Sequence, residues 1–562
     1  MGFLRKLIGG NSGAADSNTP AADGPAAGAF ARGLECLARG RHTEALDEFD
    51  RALALAPDHA DALSKRGGAL MALGRVDEAL ASLDRAIRAR PDHADAHFNR
   101  GVVLQGMTRF EEAAASYTAA LALDPADVQA WNNRGVVLGE LRRFEQALQS
   151  LQRALSLRPG YADALNNQAV VLGEMRDFAA ALKTLDRALA LQPGYVAAWY
   201  NRGNMLGDLG DWPGAIASYD RALALDPGNA MAHWNQGLCL LRLGDFARGW
   251  PKYEWRWEAV AGMRRAPHRQ PLWLGDAPLA GRTILLHAEQ GFGDTLQFCR
   301  FAAQVQALGA RVLLEVQAPL RALLTGLAGV DRVWVQGEDL PHFDFHCPLM
   351  SLPLALETGP GDIPFPGGYL SADPRKVAAW GARLGTDPGL RVGVVWSGGH
   401  RPHQPVTWEL NERRNMPARH LAALGLPDVR LYSLQKGPEA VAQLADLRAC
   451  DGTGLQIADF TSELADFADT AALVCNLDLV ISVDTSVAHL AGALGKPVWL
   501  LNRFDTCWRW MLERPDTPWY ASMQIFRQPE PGDWGSVMAS VRRRLAGLAE
   551  RRVATEPSCP PG

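Results

Sequence analysis

Long apolar runs are missing from this chain. No stretch approaches the ~18 uninterrupted apolar residues of a membrane-spanning helix, so no stable membrane insertion is expected. Cysteine is sparse, with eight scattered residues and no CxxC pair. That argues against a zinc ribbon or a disulfide framework and fits reduced thiols in a cytoplasmic protein. Excess positive charge is absent too: 57 Lys and Arg face 62 Asp and Glu, a formal net charge of −5. No bulk field attracts nucleic acid. The opening MGFLRKLIGG has too short an apolar core for a signal peptide. Residues 1–25, rich in Ala, Gly, Asp, Ser and Pro, read as a disordered tail, and 551–562 as another. The rest has ordinary globular composition, and 562 residues fit two to four domains.

What is present first is a repeat. Pro57, Pro91, Pro125, Pro159, Pro193 and Pro227 recur every 34 residues. Gly33, Gly67, Gly101, Gly135, Gly203 and Gly237 keep the same register, with Ala169 in the missing place. Large apolar residues fill a further column: Phe49, Leu83, Tyr117, Leu151, Leu185 and Tyr219. Small residues let two helices approach, large ones fill the seam, and proline stops the second helix. This pattern resembles the tetratricopeptide repeat and implies an α-solenoid over 26–262, with six full units and a degenerate seventh. Trp250, Trp255 and Trp257 are expected to form the apolar joint between the solenoid and the C-terminal half of the chain.

Asn99, Asn133, Asn167, Asn201 and Asn235 form another column, on the first helix of successive units. An amide offers donor and acceptor together, so such a ladder can hold a peptide backbone without reading its side chains. Asparagine as mere repeat consensus is the equal alternative. The protein O-GlcNAc transferases, similar in layout, use a ladder of this kind. Arg66, Arg100, Arg134 and Arg202 share the period and read as a solvated face.

Beyond residue 270 strand-like and helix-like segments alternate. TILLHA, VLLEVQ and DRVWVQ are followed, after a polar break near 385–389, by RVGVVWSGG, RLYSL, DLVISVD and KPVWLL. Continuous apolar strands separated by helices imply parallel sheets covered on both faces. Two such blocks, 270–385 and 390–550, read as paired Rossmann-like domains with ligands at the strand carboxyl ends. ISVDTSVAHLAGALGKPVWLL resembles the nucleotide-sugar motif of heptosyltransferase-type GT-B glycosyltransferases, and HAEQGFGDTLQF resembles their N-terminal turn. The chain as a whole resembles bacterial tetratricopeptide–glycosyltransferase fusions. That resemblance implies sugar transfer from a nucleotide-sugar to Ser/Thr of a protein acceptor, flagellin being one candidate. Transfer to a lipid-linked glycan and a non-catalytic binding scaffold are the alternatives.

The residues give this chemistry places. Asp484 ends a strand, and Thr485 and Ser486 open a helix whose first N–H groups have no internal partner, a natural pyrophosphate site. His489 is one turn on, within reach of a phosphate or hydroxyl. Trp396 and Ser397, Gln435 and Lys436, and Gly293 are further donor-side candidates, the lysine as a counter-charge to the leaving diphosphate. The resemblance implies Asp294 as general base, with Glu289 and His287 in reserve. It places an arginine near the WSGG turn, where Arg413 and Arg414 leave the role open. His342 and His346 have i,i+4 spacing but lie in a strand-like segment with no completing carboxylates. No metal and no cofactor are therefore expected, the nucleotide-sugar being a substrate. Self-association is left open.

Overall fold

The computed structural model describes residues 24–398, 412–449 and 455–555. The expected tails lie outside these residues up to 23 and from 556. The last helix, Trp534–Thr555, takes up the start of the expected C-terminal tail. The chain divides after Gly228 into two compact units.

The first unit is a run of helix pairs from Pro25–Ala38 to Trp212–Leu225. The small and large columns meet as the sequence requires. A Cβ at Gly33, Gly101 or Gly203 would lie 2.5–2.7 Å from the ring of Phe49, Tyr117 or Tyr219; at Gly67 or Gly135 it would meet Leu83 or Leu151 just as closely. Only a residue without a Cβ admits the facing helix there. Three of the four arginines in the column, Arg66, Arg100 and Arg202, pair with Asp50, Asp84 and Asp186, sixteen residues back, at 2.6–2.9 Å, while Arg134 donates to Thr118 Oγ1 at 3.0 Å.

The second unit begins at Asn229. The degenerate seventh repeat, helices Ala230–Arg242 and Phe246–Tyr253, therefore packs with the C-terminal body, and the expected solenoid boundary at 262 moves back. Leu241, Phe246, Trp250 and Tyr253 belong to one core with the strands and helices of that body. Trp250 sits edge-on to Trp508, 5.4 Å away, and donates its indole N–H to the Thr358 carbonyl at 3.1 Å.

Two all-parallel sheets form this body. The first has strands β1 (Thr283–His287), β2 (Arg311–Val316), β3 (Arg332–Val335) and β4 (Phe345–Pro348), in spatial order β3-β2-β1-β4. The second has β5 (Leu390–Val395), β6 (Val429–Ser433), β7 (Ile457–Asp459), β8 (Leu479–Val483), β9 (Val498–Asn502) and β10 (Met523–Arg527), in order β10-β9-β8-β5-β6-β7. Each order reverses direction once, between β1 and β4 and between β5 and β8. Ligands of open α/β sheets bind at such reversals, outside the strand carboxyl ends.

Candidate functional site

Both reversal points carry the motifs read from the sequence, and the fold brings them together. β1 runs into Ala288 and Glu289 and a glycine turn that opens the helix Phe292–Phe298. β8 runs into Asp484 and Thr485, which open the helix Ser486–Ala493. The two helices touch: a Cβ at Gly293 would lie 2.9 Å from His489 Cδ2 and 3.5 Å from Ser486 Cα. Gly293 thus serves the close approach of the two blocks.

Asp294 faces this junction. Its Oδ2 accepts the Gly291 N–H at 3.0 Å, and its Oδ1 pairs with the Arg509 guanidinium. Arg509 also donates to Gln297 Oε1 at 2.7 Å and lies 4.4 Å over the Trp508 ring. Burial alone would lower the Arg509 pKa, but Asp294 and its other neighbours raise it. Burial alone would raise the Asp484 carboxyl; the guanidiniums of Arg414 and Arg509 help hold it below its ordinary value. Of the two arginines near the WSGG turn, Arg413 turns to Asp505 at 2.8 Å. Arg414 packs over Gly398 in the turn after β5. Two cations, Arg414 and Arg509, therefore act on Asp484 at the start of the helix Ser486–Ala493, whose leading N–H groups carry partial positive charge.

Glu289 has a different environment. Its side chain is 4% exposed, and Oε2 receives Arg256 Nη2 at 3.0 Å. Its Oε1 is buried with no partner among the described residues. Burial, opposed by Arg256, pushes its pKa up to about 7. Arg256 is fully buried and also pairs with Glu254 at 2.5 Å and donates to Ser351 Oγ at 2.7 Å. It lies 4.3 Å over Trp257 and 5.0 Å over Tyr253. The seventh repeat and its C-terminal edge thus supply the counter-ion of a carboxylate beside the site.

Other expected contacts are displaced. Trp396 is wholly buried in the core beneath the second sheet, so its side chain cannot meet a donor. Gln435 Oε1 is occupied by the Trp396 and Ser397 backbone N–H groups, at 3.2 and 2.9 Å, and braces their turn. Ser397 directs its hydroxyl to the Gly398 carbonyl at 3.0 Å. Lys436 is exposed and donates to the Leu464 carbonyl. Thr485 shares a hydrogen bond with Ser482 at 3.0 Å and leaves the first turn uncapped by its side chain. His489 is 4% exposed, hydrogen-bonded to the Tyr520 hydroxyl at 2.9 Å and stacked on Trp510. Burial drives its pKa down to about 3, so it is a neutral packing residue behind Asp484. His287 is likewise buried, its pKa lowered by burial to about 3, which makes it a poor base.

The asparagine column also departs from expectation. Asn99 and Asn133 are buried. Asn167 donates to Asn132 Oδ1 at 2.9 Å, Asn201 to Asn166 Oδ1 at 2.8 Å, and Asn132 to Asn133 Oδ1 at 3.2 Å. The amides bond neighbouring repeats to one another. Asn235 lies beyond the boundary, in the second unit. Sequence reasoning named Arg414 but left its role open, and it missed Arg256 and Arg509 as site residues, because each reaches its partner through tertiary packing rather than local spacing. The positive neighbourhood expected around Asp484 was the available signal.

Residues 30–249 match the family described as tetratricopeptide repeat, in overlapping segments 30–94, 65–106, 98–162, 137–172, 166–206 and 203–249. Protein FlbA of Caulobacter vibrioides is 27% identical over 323 residues, covering 54% of this chain and 52% of FlbA. The chain thus spans about half the length of that curated relative. Solved structures with similarity include YrrB, titled a TPR protein with an unusual peptide-binding site (23% identity, TM-score 0.29, 33% of this chain and 95% of that one). A tetratricopeptide repeat protein from Parabacteroides merdae is 15% identical with TM-score 0.38, covering 42% of this chain and 94% of that one. Residues 30–249 of the N-terminal solenoid thus match the tetratricopeptide repeat, and the chain is similar to FlbA over about half its length.

Proposed function

We propose that residues 229–562 transfer a sugar from a nucleotide-sugar to a protein acceptor recruited by the repeats. The observation that carries this reading is the junction of the two helices, where Asp294, Arg509, Arg414 and Asp484 meet at the reversal points of two parallel sheets. Two parallel sheets, each with one reversal of strand order, support the reading of these residues as a paired Rossmann-like, GT-B arrangement. The donor diphosphate sits on the first turn of Ser486–Ala493, with the Ser486 and Thr485 hydroxyls as further donors. Arg509 and Arg414 neutralise the diphosphate as it leaves, and their placement without solvent reorganisation lowers the barrier.

The acceptor hydroxyl loses its proton as its oxygen attacks the anomeric carbon. Asp294 was the expected base, but both its oxygens are engaged, and its stronger role is to hold Arg509. Glu289 has a free buried oxygen and a pKa near the operating pH, the condition for efficient proton transfer. Asparagines already bonded to one another favour acceptor recruitment through other residues of the solenoid. The full chain, incubated with a panel of nucleotide-sugars and candidate acceptor proteins, should release nucleoside diphosphate and add one sugar mass to the acceptor. Glu289→Gln should lower turnover ~10²–10⁴-fold and remove an acidic limb near pH 7. If Asp294→Asn removes that limb and Glu289→Gln does not, the base is Asp294. Binding of protein with no sugar transfer from any donor would favour the scaffold reading.

A further inference from the structure

His346 does not pair with His342, as sequence spacing alone would have it, but with two residues distant in the chain. His287 ends β1, and β1 lies beside β4 with Leu285 opposite His346. Side chains of His346 and of His287 and Leu285 emerge on one face of the sheet, since register partners in a parallel pair point the same way. The third imidazole, His268, comes from the connector between the seventh repeat and β1. The connector is held against β4: His346 donates its backbone N–H to the Pro271 carbonyl at 3.1 Å, and Trp273 donates to the His346 carbonyl at 2.9 Å. His268 thereby lies over both histidines, its ring 5.3 Å from His287 and 5.0 Å from His346.

We propose that His268, His287 and His346 form a site for one divalent transition metal of the zinc type, which fastens the connector to the first sheet. One nitrogen from each ring lies within 4.8 Å of the others. His287 Nε2 and His346 Nδ1 share a hydrogen bond at 3.1 Å, which metal binding would replace by a change of tautomer. Tetrahedral zinc with ~2.0–2.1 Å bonds needs nitrogens about 3.3–3.4 Å apart, so two ligands already stand close to the required spacing. His268 is half-buried on a connector, and a small rotation brings it to the same distance. Its Nε2 is buried and has no hydrogen-bond partner among the described residues, an orphan that a metal would satisfy. Burial lowers the pKa of all three imidazoles, which favours the neutral form that coordinates.

The donor set selects the metal. Three imidazoles favour zinc, copper or nickel over calcium and magnesium, which want oxygen. Arg256 acts on His287 and Arg265 on His346, which opposes a dication. Glu315, the register partner of His287 on β2, stands on the same face of the sheet. A fourth position remains on the half-exposed side of His268, open to water. The site lies on the opposite face of β1 from Leu286 and Ala288, which join the core below the junction of the two helices. This inference does not rest on the transferase reading, and the transfer reaction needs no step through the metal.

The experiment uses the full chain, stripped with a chelator, dialysed and titrated with Zn²⁺ by calorimetry, with metal content checked by elemental analysis after gel filtration. Co²⁺ is the spectroscopic probe. Wild type should bind one Zn²⁺ per chain, give the visible absorption of tetrahedral Co²⁺, and melt at higher temperature with metal than without. His268→Ala, which removes a half-exposed ring and should fold, should bind Zn²⁺ more weakly by roughly an order of magnitude or more and lose the metal-dependent rise in melting temperature. His346→Gln gives a second test from inside the sheet. Absence of stoichiometric metal in wild type overturns the proposal. So does zinc binding by His268→Ala that equals wild type.

Discussion

Replacing Arg256 by methionine tests the link between the seventh repeat and the site most severely. Methionine keeps much of the volume and the packing against Trp257 and Tyr253, but it removes the charge. Glu254 keeps partners, Ser351 Oγ at 2.8 Å and the Trp257 indole N–H at 3.4 Å. Glu289 loses its one partner among the described residues and is left as an uncompensated buried carboxylate. Breaking a buried pair from one side costs about 3–5 kcal/mol. With a urea slope of about 3 kcal/mol per M, the unfolding midpoint should fall by about 1–1.7 M. Tryptophan fluorescence reports this transition well, because Trp131, Trp199 and Trp212 are the only tryptophans before Asn229. The loss must depend on pH. With Arg256 gone, the Glu289 pKa rises above its present value of about 7. A carboxyl whose folded pKa lies above its unfolded value stabilises the fold on the acid side and loses that contribution as pH rises through the folded value. The loss should therefore be larger near pH 8 than near pH 5.5. Adding Glu289→Leu should recover most of it. A loss under about 1 kcal/mol, equal at both pH values, would refute the assignment of Arg256 as the counter-ion of Glu289.

Two further outcomes are expected. Asn167→Ala leaves Asn132 Oδ1 without its donor between neighbouring repeats, so the solenoid should lose about 1–2 kcal/mol by circular dichroism in urea; an unchanged midpoint would return the asparagines to the peptide-facing role. His287 and His489 are held neutral by burial, with pKa values near 3 against about 6.5 in an unfolded chain. Their contribution is whole above pH 6.5 and lost as pH falls towards 3, so the melting temperature of the second unit should drop across that window; a flat profile would contradict their burial as neutral rings.

The sequence was most legible where chemistry is local. The 34-residue columns announce helix pairs because a glycine facing a large ring is a contact between neighbouring helices. β1, β5, β8 and β9 each carry a mostly apolar run, as strands covered on both faces do. β7 and β10 were not read: β7 is three residues long, and Met523–Arg527 lies at the sheet edge with Gln524 and Arg527 interrupting its apolar residues. The helix opened by Ser486 was readable from its strand–turn–helix punctuation. Arg509, Arg256 and His268 were not, because each acts across a long sequence separation on an element with no periodic signal. The roles of His489 and Trp396 were misjudged for the same reason. Spacing places a residue on an edge, and only packing decides whether its side chain faces the cleft or the core.

The central claim, an anion site for a nucleotide-sugar diphosphate at the start of Ser486–Ala493, is tested most directly by calorimetric titration of the full chain with nucleoside diphosphates. Ser486→Asp places a carboxylate where the diphosphate would sit. It should not unfold the protein, because an acidic residue in the first turn suits the helix dipole. We predict that at least one nucleoside diphosphate binds wild type, that its parent nucleoside binds far more weakly, and that Ser486→Asp loses the diphosphate at unchanged melting temperature. Equal diphosphate affinity in wild type and Ser486→Asp, or no binding of any nucleoside diphosphate to wild type, would contradict it.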